Sequence, residues 1–353
     1  MNHIHDLETP AVLIDLDVVD ANIERAQSLF DTIGIGFRPH VKTHKIPFLA
    51  ELQMKQGAIG LAAQKISEVE VFALAGFTDI TLCFNLLSPA KIARLRALLD
   101  RCHITVVADN LAVVRALSDG MAGAAMPLDV LVECDTGMAR NGVQTPQAAC
   151  DLAQAIAAAP GLTFAGLMTY PAPGATLQVQ SFLTKARDLC LATVGHCRVI
   201  SGGGTPALTL AGLAPVLTEY RAGTYIYNDR SLVAREVCTL EDCALTVLAT
   251  VVSRPTPTRA ILDTGSKALT SDLLGLTGYG TILDYPDAEI TGLSEEHGHV
   301  TLKIGSDMPE IGQKLRIVPN HACPVSNLYD TVTLHRSGTV VREVKVAARG
   351  TVV

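Results

Sequence analysis

Residues 79–120 read DITLCFNLLSPAKIARLRALLDRCHITVVADNLAVVRALSDG, and they contain one repeating unit twice. A short apolar run, DITLCFNLL, leads into PAKIARLRALLD, where apolar residues recur at helical spacing. HITVVAD leads into NLAVVRALSDG in the same way. Strand-length runs alternating with amphipathic stretches are the pattern of parallel strands, which cannot be joined by a tight hairpin and need helical crossovers.

The alternation continues in both directions. Upstream, AVLIDL at 11–16 precedes a helix-like stretch from Val18 to Ile33, GFRPHVK at 36–42 precedes FLAELQMKQG, and IGLAAQ precedes ISEVEVFALAG. Downstream, LDVLVECD precedes TPQAACDLAQAIAAA, LTFAGLMTY precedes LQVQSFLTKARDLCLATV, and CRVISGGG precedes a short helix near TPALTLAG, with LTEYRAGTY last. Eight or nine such units predict an α/β fold, a closed (β/α)8 TIM-like barrel of about 220 residues. A doubly wound open sheet is the second reading of the same alternation. After Asp242 helical periodicity fades, and ALTVLATVVSRP, TRAILDTGSKAL, AEITGLSEEHGHVTLKI, QKLRIVPNHACP, LYDTVTLH and TVVREVKVAARG read as strands with turns between them. The expectation is a barrel over 8–241 and an antiparallel β domain over 242–353, with the linker near RSLVAREVCTLED. Residues 1–7 are candidates to pack with the second domain.

Composition narrows the function. The 353 residues are 48% hydrophobic and 18% charged, enough apolar material for a large core. A net charge of −7 gives no basic footprint for nucleic acid or an anionic membrane. Aromatics make up 4% and Trp is absent, which argues against base-stacking platforms. MNHIHDLETP lacks the basic and apolar regions of a signal peptide, and no apolar run approaches the roughly 18 residues of a membrane helix. Nine cysteines without a paired framework read as reduced thiols of a cytoplasmic protein. Cys83, Cys134 and Cys243 sit in apolar runs and read as small core residues.

In a barrel, chemistry gathers at the C-terminal ends of strands. Lys42 ends the second run, in RPHVKTHK. A lysine desolvated there has a lowered pKa and can form a Schiff base, and Lys45 competes from the same motif. In SGGGTP at 201–206, three glycines let backbone N–H groups approach an anion and Thr205 adds a hydroxyl. The element GK[ST] of a P-loop and a first-turn G-x-G-x-x-G are both missing. RAGTY at 221–225 is another strand end, and Arg140 lies just beyond a third, in ECDTGMARNGV. His321 and Cys323, in PNHACP, form an H-x-C pair whose side chains share one side if the segment is extended. Imidazole with thiolate suits Zn²⁺, and two protein ligands would leave positions open to water or substrate.

Taken together, RPHVKTHK, AAQKISEVE, DTGMARNGV, SGGGTP, RAGTY and PNHACP resemble the D-serine dehydratase and D-threonine aldolase family, on the alanine-racemase-like fold of pyridoxal-phosphate enzymes. The resemblance runs nearly end to end. It implies that Lys42 holds pyridoxal 5'-phosphate covalently. Gly203, Gly204 and Thr205, helped by Gly223 and Thr224, would bind its phosphate. Tyr170 belongs to the same cofactor-binding set, and Arg140 and Arg221 would serve the ring oxygen or the ring nitrogen. His321 and Cys323 would bind a divalent metal near the substrate hydroxyl, Zn²⁺ first, with Mn²⁺ or Mg²⁺ as alternatives. It implies a homodimer in which one subunit's β domain closes the other's site.

The resemblance also implies a lyase acting on D-3-hydroxy amino acids. Dehydration of D-serine or a similar substrate is the favoured reaction and retro-aldol cleavage to glycine and an aldehyde the alternative. An amino-acid racemase and a non-catalytic cofactor carrier are weaker readings. The sequence departs from the family in two places. The aldolase branch often has an acidic residue where Cys323 stands, and Tyr170 is followed by PAPGA rather than a turn containing His.

Overall fold

Residues 3–353 are described by the structure, a computed structural model. Its first strand, β1 (Ala11–Asp15), corrects one expectation. AVLIDL was expected to start the parallel series, but β1 lies in a different sheet, where Leu13 and Ile14 are fully buried. A five-residue apolar run fits a central strand of either sheet type, so its partners are decided by tertiary pairing.

The remaining parallel strands follow the predicted order. They are β2 (Gly36–Pro39), β3 (Leu61–Ala63), β4 (Asp79–Leu82), β5 (His103–Ala108), β6 (Leu128–Cys134), β7 (Leu162–Thr169), β8 (Val199–Gly202) and β9 (Glu219–Ala222). They form an eight-stranded sheet in the order β2-β9-β8-β7-β6-β5-β4-β3, every ladder parallel. A bridge between His40 and Ala62, with Val41 N–H donating to the Ala62 carbonyl at 2.8 Å, nearly closes the ends of the sheet into a barrel.

Strands covered on both faces are mostly apolar, and five of the six residues of β5 are buried. Ala62, Cys83, Val107, Leu131, Ala165 and Met168 form one buried cluster. Local signals set the helix starts. Asn110 accepts from Val113 N–H at 3.0 Å ahead of the helix Leu111–Gly120, and Thr145 caps Pro146–Ala158 with proline in the first turn. These residues belong to a compact unit made of Ala26–Lys42, Pro47–Gly223 and Thr351–Val353.

The second unit comprises the N-terminal residues through Arg25, Thr43–Ile46 and Thr224–Gly350. Its further strands are β10 (Leu245–Thr256), β11 (Arg259–Leu262), β12 (Thr281–Ile282), β13 (Ala288–Leu293), β14 (Gly298–Leu302), β15 (Lys314–Val318), β16 (Thr331–Arg336) and β17 (Thr339–Lys345). The nine strands run β11-β14-β13-β12-β15-β10-β1-β16-β17, and pairing of β10 with β11 closes six of them into an antiparallel barrel. The β1–β16 pair is the exception, being parallel. His3 bridges Thr339 and Ile4 packs with Leu13 and Leu248, so the first described residues lie on this unit.

All nine cysteines are free thiols, and Cys83, Cys134 and Cys243 are buried. Burial pushes the Cys83 and Cys134 thiols up, as suits inert core residues. Among the described residues no helix is long and apolar enough to cross a membrane.

Candidate active site

Because the barrel strands are parallel, the segments following β2, β6, β7, β8 and β9 all leave from strand C-termini. Lys42, Arg140, Tyr170, Gly203, Gly204 and Gly223 lie in those segments. The sequence thus supplied the residues and the parallel topology gathers them at one rim. The half-buried Lys42 holds its Nζ 5.9 Å from the centroid of the Tyr170 ring. Arg140 lies over the same ring, 4.8 Å away, and its guanidinium is 3.8 Å from the buried Glu133. Burial pushes the Glu133 carboxyl up, against the opposing charges of Arg140 and Arg221. The Lys42 N–H donates to His40 Nδ1 at 3.3 Å, and His40 Nε2 meets Gln64 Oε1 at 3.3 Å. The competitor Lys45 is placed otherwise. It is buried with a left-handed backbone, φ 58°, and its ammonium donates to Asn327 at 2.9 Å.

The glycine run extends β8 past its last ladder partner. Among the described residues none accepts a hydrogen bond from the main-chain N–H of Gly203, Gly204 or Gly223. Three such donors at strand ends fit an anion such as a phosphate. Thr205 opens the 3-10 segment Thr205–Leu213, and Thr224 opens Thr224–Ile226. Arg221, on β9, is buried, donating to Ser201 Oγ and to the Thr169 carbonyl at 2.9 Å. Ser201 donates in turn to Glu219 at 2.6 Å, and Glu219 pairs with Arg38 at 2.9 Å.

The two glycines have different reasons to be glycine. Gly203 has φ +126°, and a Cβ there would stand 2.4 Å from the Arg221 carbonyl oxygen. A side chain at Gly203 therefore damages the fold itself, which makes that position a poor probe of ligand binding. A Cβ on Gly204 would meet only the Tyr170 ring, at 3.3 Å. Gly204→Val is expected to leave the protein folded and to weaken cofactor affinity about 10- to 100-fold, equivalent to losing one charge-assisted hydrogen bond of about 1.5–3 kcal/mol. Spectroscopic titration of the cofactor, with a melting curve as control, checks this; unchanged affinity in a folded variant removes the glycine run from phosphate binding.

The H-x-C pair belongs to the β unit. The extended segment expected for it ends early, because His321 caps a helix, Ala322–Leu328, and Cys323 lies in that helix's first turn. Pro324 is compatible with this, since a first-turn proline sacrifices no intrahelical bond. Two hydroxyls meet the Cys323 sulfur, Thr43 Oγ1 at 3.2 Å and Thr224 Oγ1 at 3.7 Å. Asp272 Oδ2 lies 2.7 Å from His321 Nδ1. The imidazole is pushed up to about 9: burial opposes its charge, but Cys323, then Asp272 and the charge of Asp229, outweigh it. Among the described residues no three His, Cys, Asp or Glu side chains converge as a closed metal site. Imidazole and sulfur as donors, with a carboxylate behind the ring and hydroxyls at the sulfur, fit an open site with exchangeable positions.

Several residues here carry no sequence signal. Asp229 is fully buried, and its carboxylate accepts from Ala322 N–H at 3.0 Å and from Leu232 N–H at 3.2 Å. Arg230 N–H donates to the Pro319 carbonyl at 3.1 Å and Ser231 N–H to that of Asn320 at 3.2 Å. Asp229–Ser231 thereby fixes the backbone of the H-x-C loop from about ninety positions away in the chain. Asp272 and Thr43 likewise touch the pair only through tertiary folding.

Comparison with known proteins agrees with this architecture. The alanine racemase N-terminal domain model matches residues 14–231, well over half of the chain, and the model described as "putative serine dehydratase domain" matches 244–335. A D-threonine aldolase of Arthrobacter sp. is 35% identical, covering 98% of this chain and 93% of its own length. A D-threo-3-hydroxyaspartate dehydratase of Delftia sp. is 31% identical, covering 90% of this chain and 91% of its own. The crystal structure of D-threonine aldolase from Filomicrobium marinum superposes with a TM-score of 0.89 at 33% identity, over 99% of this chain and 98% of that one. Solved structures of the dehydratase include a Cys→Ala variant in a metal-free form and a His→Ala variant, the altered positions lying two residues apart, the spacing of His321 and Cys323. The matched domains, the near full-length identity and the shared fold lead to one conclusion: the chain belongs to the D-threonine aldolase and D-serine dehydratase family of pyridoxal-phosphate-dependent lyases on the alanine racemase fold.

Proposed function

We propose that this enzyme removes water from a D-3-hydroxy amino acid of the D-serine type, giving a 2-oxo acid and ammonia. The observation that carries the reading is the His321–Cys323 donor pair, with cysteine where the aldolase branch often places an acid. Lys42 is the residue for the cofactor, supported by its place after β2 and by the engagement of Lys45 with Asn327. Gly203, Gly204, Thr205, Gly223 and Thr224 take the phosphate, and Arg140, Tyr170 and Arg221 take the ring.

Bound pyridoxal phosphate supplies an electron sink for the carbanion formed at Cα. The Lys42 amine takes the Cα proton as general base. Arg221, fixed by Ser201 and Thr169, offers a cation that needs no reorganisation during the reaction. His321 and Cys323 would hold a divalent ion, zinc by the softness of sulfur, which would supply Lewis acidity to the β-hydroxyl, otherwise a poor leaving group. Lys42 returns that proton to the departing β-hydroxyl, which leaves as water as the Cβ–O bond breaks, and the released enamine tautomerises to an imine that hydrolyses to the 2-oxo acid and ammonia.

Retro-aldol cleavage is the second reading, favoured by the 35% identity to D-threonine aldolase. It uses the same residues: a base takes the β-hydroxyl proton, the Cα–Cβ bond breaks to release the aldehyde, and a proton delivered to Cα completes glycine. Incubating the holoenzyme with D-serine, D-threonine and D-threo-3-hydroxyaspartate separates the two. Ammonia with 2-oxo acid supports dehydration, whereas glycine with an aldehyde overturns it in favour of the aldolase. The nine free thiols support a cytoplasmic setting, and the family resemblance supports a homodimer with shared sites.

A further inference from the structure

The metal reading above leaves one carboxylate unassigned. Asp272 lies in the loop after the short helix Ser266–Leu269, where Thr270 takes a left-handed conformation, φ 64°. It is joined to the H-x-C loop twice. Its main-chain carbonyl accepts from Asn320 Nδ2 at 3.1 Å, and its side chain meets His321 Nδ1 at 2.7 Å. Asn320 is itself buried, donating to the Gly278 carbonyl at 2.8 Å and accepting from Arg230 at 2.9 Å. The carboxylate is therefore aimed by a fixed neighbour rather than resting against the ring by chance.

We propose that Asp272 is a positioning residue for metal binding, holding His321 by Nδ1 so that Nε2 is presented as the ligand atom. The inference rests on the metal reading. A carboxylate on one ring nitrogen fixes the tautomer and the ring's orientation, and it makes the other nitrogen a better donor. Asp272 is assigned to the ring and not to the ion, because its oxygen occupies the Nδ1 edge and no three-residue metal cluster exists among the described residues.

The test is metal affinity of the substrate-free holoenzyme, measured for zinc by competition with a chromophoric chelator. Cobalt(II) serves as the optical probe of the ligand set. Asp272→Ala is expected to weaken zinc binding about 10- to 100-fold and to shift the cobalt ligand-field bands, with cofactor content unchanged. Asp272→Asn keeps an acceptor and loses the charge, so it should fall between wild type and alanine; it also carries the test if the alanine variant fails to fold. Wild-type affinity and spectrum in both variants, while His321→Ala loses the metal, overturns the role of Asp272 and leaves the metal reading standing. Wild-type affinity in His321→Ala overturns both.

Discussion

Lys42→Ala is expected to abolish covalent attachment of pyridoxal phosphate and to lower kcat by at least about 10²–10⁴-fold, the range for losing a positioned general base. The expectation follows from Lys42 being half-buried after β2, with its Nζ above the Tyr170 ring and on the same rim as the glycine run. Alanine there removes the amine and leaves His40 and the backbone donors in place, so cofactor should still bind, reversibly. Borohydride reduction of wild type followed by peptide mapping should label Lys42. A label on Lys45 would reverse the assignment, although the bond from Lys45 to Asn327 argues that its amine serves the fold.

Removal of metal by a chelator is expected to lower kcat on the order of 10³-fold with little loss of pyridoxal phosphate. The loss corresponds to about 4 kcal/mol of Lewis-acid assistance to a poor leaving group. Wild-type protein should contain roughly one zinc per chain, and re-addition should restore turnover. Cys323→Asp replaces a soft donor with a hard one, so preference should shift toward Mn²⁺ and aldol cleavage should gain on dehydration. Metal analysis with product quantification checks both statements. Full turnover in metal-free protein would return His321 and Cys323 to a structural role and raise the racemase reading.

The sequence by itself determined the parallel β/α alternation, whereas closure into a barrel is seen in the bridge from His40 to Ala62. Two repeats in residues 79–120, with their neighbours, give eight or nine strands and their parallel direction, because parallel strands cannot be joined by tight turns and must be separated by crossover helices. It also singled out the candidate site residues that follow strand ends or stand in short motifs, Lys42, the glycine run and the H-x-C pair, since such candidates are recognised by residue type and local spacing. Tertiary structure alone decided the rest. An apolar run such as AVLIDL fits either sheet, and only pairing with β10 and β16 places β1 in the second unit. The distinction between Gly203 and Gly204 appears only when Arg221 and Tyr170 are brought beside them. Asp229, Asp272 and Thr43 reach the H-x-C loop across 93, 49 and 280 positions of sequence. Single carboxylates and hydroxyls in loops have no periodicity to betray them, so their roles exist only once folding supplies the neighbour that each one holds.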